Sequence, residues 1–491
     1  MKHIKTKIIA GLLAFSCLAM NACTIVYEQK ETEGDSAASG TGGTDSEEDL
    51  RIPTEFPTRD VLDSVITKCG STDVKGEELY FYYYQLAELV AEQNRDYIPY
   101  YGGALPDYAY SLKSQFIMTD TTWYDYLNKS VDSYLEYMYT LSEAAKAEGI
   151  TLTDDELAKA EKKASEYKLP DAVTYISADT VKACIVREAL SEKYNKHLKE
   201  VTKATDDEIT AEYDKNRILY DMVDMRLIAI EYKADDTVTD AENASYLLPT
   251  KAEANDIGAQ LSACTTPEEF DKIAEDFFKK YFPDITKENI EYYVSSSAYK
   301  NFKYTENYKD YEIVKWAMDP ARVEGEKNLI DSEDDHTLYF ALIEKPARPD
   351  DSKTVSVRHI LVEKEEDAKK ILDEYNASDK TEDTFAALAN KYTIDPGSST
   401  NGGLYENFSE GTMVAEFNDW SFDEKRLPGD VDIVKTTHGY HIIYFVSEGL
   451  PGYVMSVKST IEGEKFNKLY EEKQKAYPIK ISEEVIEGLK V

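Results

Sequence analysis

Two of the six histidines in this 491-residue chain lie inside short apolar runs. His359 belongs to the run RHILV over residues 358–362, and His441 belongs to the run GYHII over residues 439–443. An imidazole in such a run can transfer a proton, bind a metal ion or fix a hydrogen-bond network. It can also be an ordinary core histidine with both ring nitrogens satisfied, and the residues alone leave these alternatives open.

Neither metal nor cofactor binding is expected from the pattern of potential ligands. His438 precedes His441 by three residues, but no further histidine or cysteine lies near them in the sequence, and a zinc site needs several such ligands. Cys69, Cys184 and Cys264 are widely spaced, which favours buried thiols over a disulfide framework.

The elements that must position these residues occur twice in the chain. Residues 225–231 resemble residues 357–363, which lie 132 positions later, and each run predicts a short buried strand. A helix start follows in both copies, at Thr266 in the first and at Thr381 in the second. The sequence therefore contains a weak internal repeat.

The second half of the repeat has a different spacing. Trp316 matches Trp420 at an offset of 104 residues, and the same offset aligns residues 338–342 with residues 442–446. Each copy follows the order strand, helix, helix, loop, strand, strand, which predicts a small α+β domain with a sheet covered by helices. The two predicted tandem domains span residues 221–347 and 353–449.

The second copy contains several motifs in a defined order. Between its two histidine runs stand Gly402-Gly403 and the segment GTMV over residues 411–414. In order and spacing these motifs resemble the parvulin family of peptidyl-prolyl cis/trans isomerases. Together with the N-terminus and the flanking helical segments, the whole chain resembles PrsA-type foldase lipoproteins and SurA-type periplasmic chaperones.

Parvulin chemistry explains why such residues are needed. The bond before proline has partial double-bond character, and its uncatalysed isomerisation takes tens to hundreds of seconds. No covalent bond breaks, so a site accelerates the reaction by binding the twisted bond better than either planar form. An apolar pocket can hold the proline ring, and a polar network beside it can favour the twisted carbonyl.

The resemblance implies a polar network and a proline pocket in the second domain. The expected network comprises His359, Asp395, Thr436 and His441. The expected pocket comprises Met413, Phe417 and Phe422. The histidines are expected to set each other's tautomer and Asp395 to face the twisting carbonyl.

Two departures from the family pattern affect the expected substrate. Residues 404–406 read LYE where the family often has Asp-Leu-Gly, so Tyr405 is expected to line the substrate groove. The loop over residues 363–367 is mainly acidic, whereas phosphoserine-directed parvulins carry a basic cluster there. A requirement for phosphorylated substrates is therefore not expected.

The first copy lacks the histidines. At the offsets given above, Leu227 stands in place of His359 and Thr337 stands in place of His441. We therefore expect an inactive parvulin-like domain that serves as a spacer or as a binding surface.

The segment over residues 59–220 is predicted to be mostly helical and to resemble a SurA-type chaperone domain. It is expected to open with a strand over residues 60–66 and to be completed by the C-terminal segment 451–491, which contains a helix predicted over residues 459–477. Tyrosine is abundant, with 38 residues, and the run over residues 80–84 reads YFYYY. Such side chains serve either adaptable peptide binding or helix packing.

The N-terminus predicts export. Residues 1–22 combine three lysines with a short apolar stretch, and Cys23 follows in a sequence that resembles a bacterial lipobox. Cys17 is a weaker candidate for lipidation, and an ordinary secretory signal is the alternative. The Gly-, Ser- and acid-rich region over residues 23–58 predicts a flexible tether. The expected location is outside the cytoplasm, with a lipid anchor in the bacterial cell membrane.

The charge limits the possible partners. The chain has 95 acidic against 56 basic residues, a net charge of −39, which excludes nucleic acid as the expected partner. We expect an α+β multidomain foldase that isomerises X-Pro bonds in unfolded or partly folded exported proteins. The alternative is a non-catalytic chaperone that uses parvulin folds only to bind peptides.

Overall fold

The computed structural model of the protein describes residues 52–95, 97–235, 246–399 and 401–491. The predicted signal segment, Cys23 and most of the predicted tether lie outside these ranges. Among the described helices, none combines the length and the apolar character that a bilayer crossing requires.

Contacts within the described residues divide the chain into two units. The first unit contains the described residues up to Lys203 together with Glu462–Val491, and the second contains Ala204–Ile461. In the first unit β1 (Val65–Cys69) pairs with β2 (Thr72–Lys75), and β3 (Phe116–Met118) pairs with β4 (Thr121–Thr122). The helices of its N-terminal part are α1 (Arg59–Asp63), α2 (Gly76–Gln93), α3 (Tyr97–Tyr100), α4 (Trp123–Asn128), α5 (Val131–Ala147), α6 (Asp154–Glu166) and α7 (Ala178–Val201).

The strand predicted over residues 60–66 is wrong, because the chain first forms the helical turn α1 and enters β1 only at Val65. The Arg59 guanidinium and the Asp63 carboxylate, four residues apart, pair at 2.7 Å across this turn. Leu62 is buried while Val61 is exposed, so α1 presents a single apolar residue to the core.

The tyrosine run of α2 supplies core packing. Tyr80, Tyr82, Tyr83 and Tyr84 are each at most 2% exposed, so this run does not form an exposed peptide-binding surface. Several of their hydroxyls find partners inside the unit: Tyr84, for example, shares a 2.8 Å hydrogen bond with the Tyr175 hydroxyl. Of the two interpretations of this run, packing is the correct one.

The second unit contains two four-stranded antiparallel sheets of the same topology. The first has the order β6-β5-β8-β7 and the second the order β10-β9-β12-β11. Their strands are β5 (Asp221–Glu231), β6 (Ala298–Lys303), β7 (Lys327–Ser332), β8 (Thr337–Pro349), β9 (Thr354–Val362), β10 (Leu404–Ser409), β11 (Val431–Thr436) and β12 (Gly439–Glu448). The helices are α8 (Asp206–Lys215), α9 (Lys251–Ala263), α10 (Pro267–Tyr281), α11 (Lys287–Ser296), α12 (Glu312–Ala317), α13 (Glu365–Asn376), α14 (Glu382–Tyr392) and α15 (Ala415–Ser421).

Strand pairing corrects the expected alignment of the two last strands. In the first sheet Leu227 pairs with Ala341, and in the second His359 pairs with Ile443. Because Leu227 and His359 are equivalent in the repeat, the last strands are offset by 102 residues and not by 104.

The hairpins that precede the last strands explain the difference. The hairpin between β7 and β8 closes with Ser332 opposite Thr337, so its loop has four residues. The hairpin between β11 and β12 closes with Thr436 opposite Gly439, so its loop has two. The first copy therefore contains two extra residues in this turn, which the periodicity of the strands could not reveal.

Each face of the second sheet has its own apolar core. Helices α13 and α14 cover the face that carries Ile360 and Ile442, whereas α15 packs against the face that carries Val357 and Ile443. Since side chains alternate along a strand, His359 and His441 both project toward α15.

The C-terminal segment belongs to the core of the first unit. It comprises α16 (Gly452–Ala476), whose residues from Glu462 onward lie in that unit, and α17 (Glu483–Glu487). The last carbonyl oxygen, of Val491, accepts hydrogen bonds from the Ser111 hydroxyl at 2.7 Å and from the Leu112 amide at 3.0 Å. Four side chains of this segment are almost fully buried, namely Ile481, Ile486, Leu489 and Val491.

Deletion of residues 478–491 should therefore destabilise the first unit. Burial of one such side chain contributes about 1.5–3 kcal/mol, so we expect a loss of at least about 6 kcal/mol in the free energy of unfolding. Urea unfolding followed by hydrogen exchange measures the two units separately. The urea midpoint of the second unit should stay unchanged. Lys490→Ala is the control, because its ion pair with Glu55 is exposed and should contribute under about 1 kcal/mol. An unchanged first-unit midpoint after the deletion would contradict this assignment.

Candidate functional site

The candidate site lies on the α15 face of the second sheet. His359 comes from β9 and His441 from the neighbouring strand β12, and the two side chains are only 2% and 6% exposed. From α15, Phe417 places its ring edge-on to both imidazoles, with centroid distances of 5.5 Å and 5.3 Å. The two histidines therefore meet in a buried part of the domain.

A continuous hydrogen-bond network joins five side chains of this face, and the Tyr405 hydroxyl extends it through Asp395. The Nδ1 atoms of His359 and His441 are 3.0 Å apart. His359 Nε2 lies 3.0 Å from Asp395 Oδ2 and 2.9 Å from Ser398 Oγ. His441 Nε2 lies 2.9 Å from Thr436 Oγ1. The structure thus brings together all four residues of the predicted network and adds Ser398.

The network determines where its protons lie. Ionised Asp395 can only accept, so His359 Nε2 carries a proton and, in the neutral ring, His359 Nδ1 accepts. His441 must then donate through Nδ1 and accept through Nε2 from the Thr436 hydroxyl. The Thr436 hydroxyl oxygen in turn accepts from the backbone N–H of His438 at 3.1 Å. Every ring nitrogen is satisfied with both histidines neutral.

The local electrostatics agree with this assignment. Burial, reinforced by the neighbouring His359, lowers the pKa of His441 to about 4, so that its ring is neutral near pH 7. Burial opposes ionisation of Asp395, but hydrogen bonds from His359, Ser398 and Tyr405 outweigh it and hold the pKa of this carboxyl well below its usual range. Burial and the Asp395 charge raise the pKa of Tyr405 to about 12, so its phenol remains a donor.

Asp395 collects its donors on one oxygen. Besides His359, the Ser398 hydroxyl at 2.5 Å and the Tyr405 hydroxyl at 3.1 Å donate to Oδ2. Among the described residues, no hydrogen-bond donor reaches Oδ1, and the side chain is 16% exposed. The ionised carboxylate is therefore held by one oxygen and can present the other to a ligand.

Ser398 is the network member that the sequence analysis missed. It is fully buried in the loop between α14 and β10, three residues after Asp395. A serine three residues after an aspartate was the feature of the sequence that could have indicated this role. Only the loop geometry, however, orients Ser398 toward His359.

The glycine pair shapes the same loop. Gly402 and Gly403 adopt φ angles of +72° and +74°, a region that side chains disfavour. A Cβ on Gly403 would lie 2.2 Å from the carbonyl oxygen of His359, so only glycine lets the loop pass this close to β9. The loop can then bring Asp395 and Ser398 to the histidine.

An aromatic cluster adjoins the network. Phe417 lies in the apolar cluster of this face, and Met413, Phe422 and Tyr405 pack against that cluster as partly buried residues. Phe408, to which the sequence analysis gave no role, is buried between two of them, with ring centroids 6.2 Å from Phe417 and 5.5 Å from Phe422. The predicted pocket residues thus lie together, and Phe408 belongs with them.

The equivalent face of the first domain lacks the network. Strand register places Leu227 at the position of His359, as expected, but it places Tyr339 and not Thr337 at the position of His441. Helix α11 also takes the place of the loop that carries Asp395 in the second domain. The first domain therefore keeps the sheet without the polar network.

No grouping of three or more histidine, cysteine or acidic side chains suited to a metal ion occurs within the described ranges. The thiols of Cys69, Cys184 and Cys264 are buried and unpaired with one another.

Comparison with known proteins identifies the second domain. Residues 341–448 match the family model described as the PPIC-type PPIase domain. The chain is 36% identical over 108 residues to foldase protein PrsA 1 of Listeria innocua, which covers 22% of this chain and 35% of the relative. It is 32% identical over 185 residues to foldase protein PrsA 4 of Bacillus cereus, covering 34% of this chain and 64% of the relative. The chain thus spans less than two thirds of the length of either relative.

Two solved structures resemble parts of the chain. PrsA from Bacillus subtilis is 23% identical, covers 50% of this chain and 90% of its own, and has a TM-score of 0.21. NmPin, the parvulin of Nitrosopumilus maritimus, is 34% identical, covers 20% of this chain and 98% of its own, and has a TM-score of 0.18.

Acid should destabilise the second domain in a defined pH window. The ordinary pKa of histidine is 6.5 and that of folded His441 is about 4, so the unfolded chain binds a proton in this window that the folded domain does not. Stability should therefore fall as the pH decreases from about 6.5 to about 4. Below about pH 3.8, protonation of Asp395 should add to the loss, because its folded pKa is lowered.

The loss of stability is measured by hydrogen exchange of the backbone amides of β9 and β12 at about pH 7 and at about pH 4.5, corrected for intrinsic exchange rates. The stability difference between the two pH values should shrink in His441→Gln. It should largely persist in the control His438→Gln, because the exposed His438 contributes only the smallest of the effects that lower the His441 pKa. Equal differences in both variants would show that His441 is not the responsible group.

Proposed function

We propose, from the premise that the second α+β domain, which lies within the matched residues 341–448, is a PPIC-type peptidyl-prolyl cis/trans isomerase domain, that the protein isomerises X-Pro bonds in unfolded exported proteins and holds these clients. The observation that carries this proposal is the junction of the His359–His441 network with the aromatic pocket around Phe417. The PrsA relatives are named foldase proteins, which supports a role in protein folding.

The pocket is suited to the proline ring. Phe408, Phe417 and Phe422 offer apolar walls, and Met413 is half-buried at the edge of the cluster. Packing a ring against such walls excludes water and restrains the proline while the preceding carbonyl turns. The Met413 thioether can adapt to rings of different pucker.

Asp395 is suited to act on the carbonyl that turns. Resonance in the planar imide places extra negative charge on the carbonyl oxygen, and twisting the bond removes it. A carboxylate nearby therefore raises the energy of the planar forms more than that of the twisted form, which lowers the barrier. The Tyr405 hydroxyl, bonded to the same carboxylate, holds it in position.

The histidines and Ser398 act as positioning residues in this scheme. Both imidazoles use every ring nitrogen inside the network, so neither has a free lone pair or proton for the substrate. Their contribution is to hold Asp395 ionised and correctly oriented. This role explains how a reaction without proton transfer can require two histidines.

Location and clients complete the proposal. The signal-like residues 1–22 support export, and Cys23 is the residue we propose to carry the lipid anchor. Unfolded or partly folded exported chains with X-Pro bonds would be the clients, and the net charge of −39 favours those with basic segments. The second candidate function is that of a chaperone that holds clients without catalysis. Leu227 and Tyr339, which occupy the positions of the two histidines, favour this function for the first domain alone.

Isomerase activity should depend on the second domain. We expect Met413→Ala and Phe417→Ala each to lower kcat/KM on an unphosphorylated X-Pro peptide by about tenfold or more, because each removes apolar contact with the proline ring. A protease-coupled isomerisation assay measures the effect, with the fold checked by circular dichroism. Leu227→Met is the matched control, because it alters the equivalent of His359 in the first domain.

The same assay distinguishes the two candidate functions. Wild-type activity that disappears in the pocket variants supports the isomerase. A folded wild-type protein without activity on any unphosphorylated proline peptide would favour the non-catalytic chaperone.

Holding of a basic client should weaken with salt. Screening shortens the Debye length from about 8 Å at 0.15 M to about 3 Å at 1 M, which removes most attraction between exposed charges. Suppression of aggregation should therefore fall at high salt for a basic client and change little for an acidic one. Salt-independent holding of the basic client would show that the charge serves solubility alone.

A further inference from the structure

Arg358 opens the RHILV run but has no place in the hydrogen-bond network of His359 and His441. It directly precedes His359 on β9, so its side chain projects from the opposite face of the sheet, which α13 and α14 cover. The side chain is only 15% exposed. A guanidinium that is largely withdrawn from water needs several acceptors, and those of Arg358 lie on two parts of the domain.

One acceptor lies on α14. Arg358 Nε donates a 2.8 Å hydrogen bond to Oε1 of Glu382, the first residue of that helix. Because the guanidinium is planar, this bond fixes the direction in which its other donors point. Glu382 thereby orients Arg358 for its contacts with the loop between α14 and β10.

The other acceptors are two consecutive carbonyl oxygens of this loop. Arg358 Nη1 donates to the carbonyl of Asn401 at 2.9 Å and to that of Gly402 at 3.0 Å. A Cβ on Gly402 would lie 2.8 Å from Nη1, so the absence of a side chain lets the guanidinium approach the backbone. One arginine therefore ties β9 and α14 to the end of the loop.

The same end of the loop is joined to Ser398. The Gly403 N–H donates to the Ser398 carbonyl at 2.9 Å, and the Gly403 carbonyl accepts from the His359 N–H at 2.8 Å. Since Gly403 follows directly on Gly402, a shift of the carbonyls that Arg358 holds would move the backbone of Ser398.

Ser398 connects this end of the loop to the network. Its hydroxyl lies 2.9 Å from His359 Nε2 and donates to Asp395 Oδ2 at 2.5 Å. Hydrogen bonds weaken steeply when their geometry is disturbed, so a small backbone shift at Ser398 would impair both contacts. Arg358 is on the other face of the sheet, and the loop connects it to Asp395.

The first domain keeps the arginine and uses it differently. Strand register makes Arg226 the equivalent of Arg358. The Arg226 guanidinium pairs with two carboxylates, that of Asp271 on α10 at 3.0 Å and that of Glu344 on β8 at 3.4 Å. Within the described residues, no loop carbonyl accepts a hydrogen bond from Arg226. The contacts of this arginine with a loop thus occur in the domain that has the network.

We propose that Arg358 is a positioning residue of the isomerase, which holds the end of the loop at Gly402 so that Ser398 keeps the Asp395 carboxylate in place. This inference deepens the proposed function and rests on it. The proline pocket lies on the α15 face, away from Arg358. Loss of Arg358 therefore impairs the turnover of a bound proline peptide and leaves the binding of its proline ring intact.

The first test measures the kinetics of the full chain on an unphosphorylated X-Pro peptide. Arg358→Ala should lower kcat by about fivefold or more and leave KM within about twofold, because the carboxylate loses its position while the pocket remains. Arg358→Lys keeps the charge and can still donate to a carbonyl, so it should recover part of the lost kcat. Circular dichroism and the urea midpoint show whether each variant is folded.

If Arg358→Ala does not fold, Arg358→Lys carries the test, with an expected loss of about threefold in kcat. Arg226→Ala is the matched control, because it removes the equivalent arginine of the first domain together with its ion pairs. This control should leave kcat/KM within about twofold of wild type, since distant sites act independently.

A double-mutant cycle separates positioning from a merely structural role. If Arg358 acts through Ser398, Arg358→Ala should lower kcat by about fivefold in the wild-type background but by less than about twofold in a Ser398→Ala background. A residue that only stabilised the domain would lower kcat by the same factor in both backgrounds.

Hydrogen exchange reports on the loop independently of activity. The Gly402 N–H donates to Asn390 Oδ1 at 3.0 Å, and the Gly403 N–H donates to the Ser398 carbonyl. Both amides should therefore exchange faster in Arg358→Ala than in wild type, and Arg226→Ala should leave them unchanged.

Several results would overturn the inference. A kcat of Arg358→Ala within about twofold of wild type would do so, as would a rise in KM alone or equal factors in the two backgrounds of the cycle. Unchanged exchange of the Gly402 and Gly403 amides would also overturn it, whether or not the wild type is active. Faster exchange in a chain whose wild type lacks isomerase activity would refute the proposed function and confirm that Arg358 holds the loop.

Discussion

The hydrogen bond between the Nδ1 atoms of His359 and His441 is the constraint on which the candidate site depends. Two imidazoles that share one proton on neighbouring strands must have complementary tautomers, and burial makes a second proton costly. The acceptor at Asp395 and the donor at Thr436 then determine the donor and the acceptor in each hydrogen bond of the network. Because this arrangement leaves no ring nitrogen unused, the histidines can hold the ionised carboxylate in place but are poorly suited to exchange protons with a substrate.

The duplicated domain shows how readily this constraint is lost while the fold remains. Both sheets have the same strand order, and β6 and β10 each contain a bulge with one asparagine at positive φ. In the first domain, Leu227 and Tyr339 occupy the two histidine positions, so there is no shared proton. Helix α11 replaces the loop that carries Asp395 in the second domain. What remains is a sheet with a partly buried aromatic face and without the network that positions a carboxylate.

Much of the architecture was predictable because hydrophobic periodicity and motif order are local properties. The predicted fold class and the membership of the second domain in the isomerase family are confirmed. The alignment of the last strands failed by two residues, because an insertion in a hairpin loop leaves the alternation of both strands intact. The strand predicted over residues 60–66 failed because valine and isoleucine favour strands, while the ion pair between Arg59 and Asp63 stabilises a helical turn.

By itself, the sequence determined the chemical inventory: two histidines in apolar strands, an acid, a glycine pair and a row of aromatic residues in family order. Only the tertiary structure decided the contacts, since Ser398 reaches His359 across 39 positions of sequence and Phe408 reaches the pocket from another strand. The tyrosines illustrate the same division. Composition could not separate the buried run of α2 from the exposed Tyr311, because burial depends on which surfaces meet after folding.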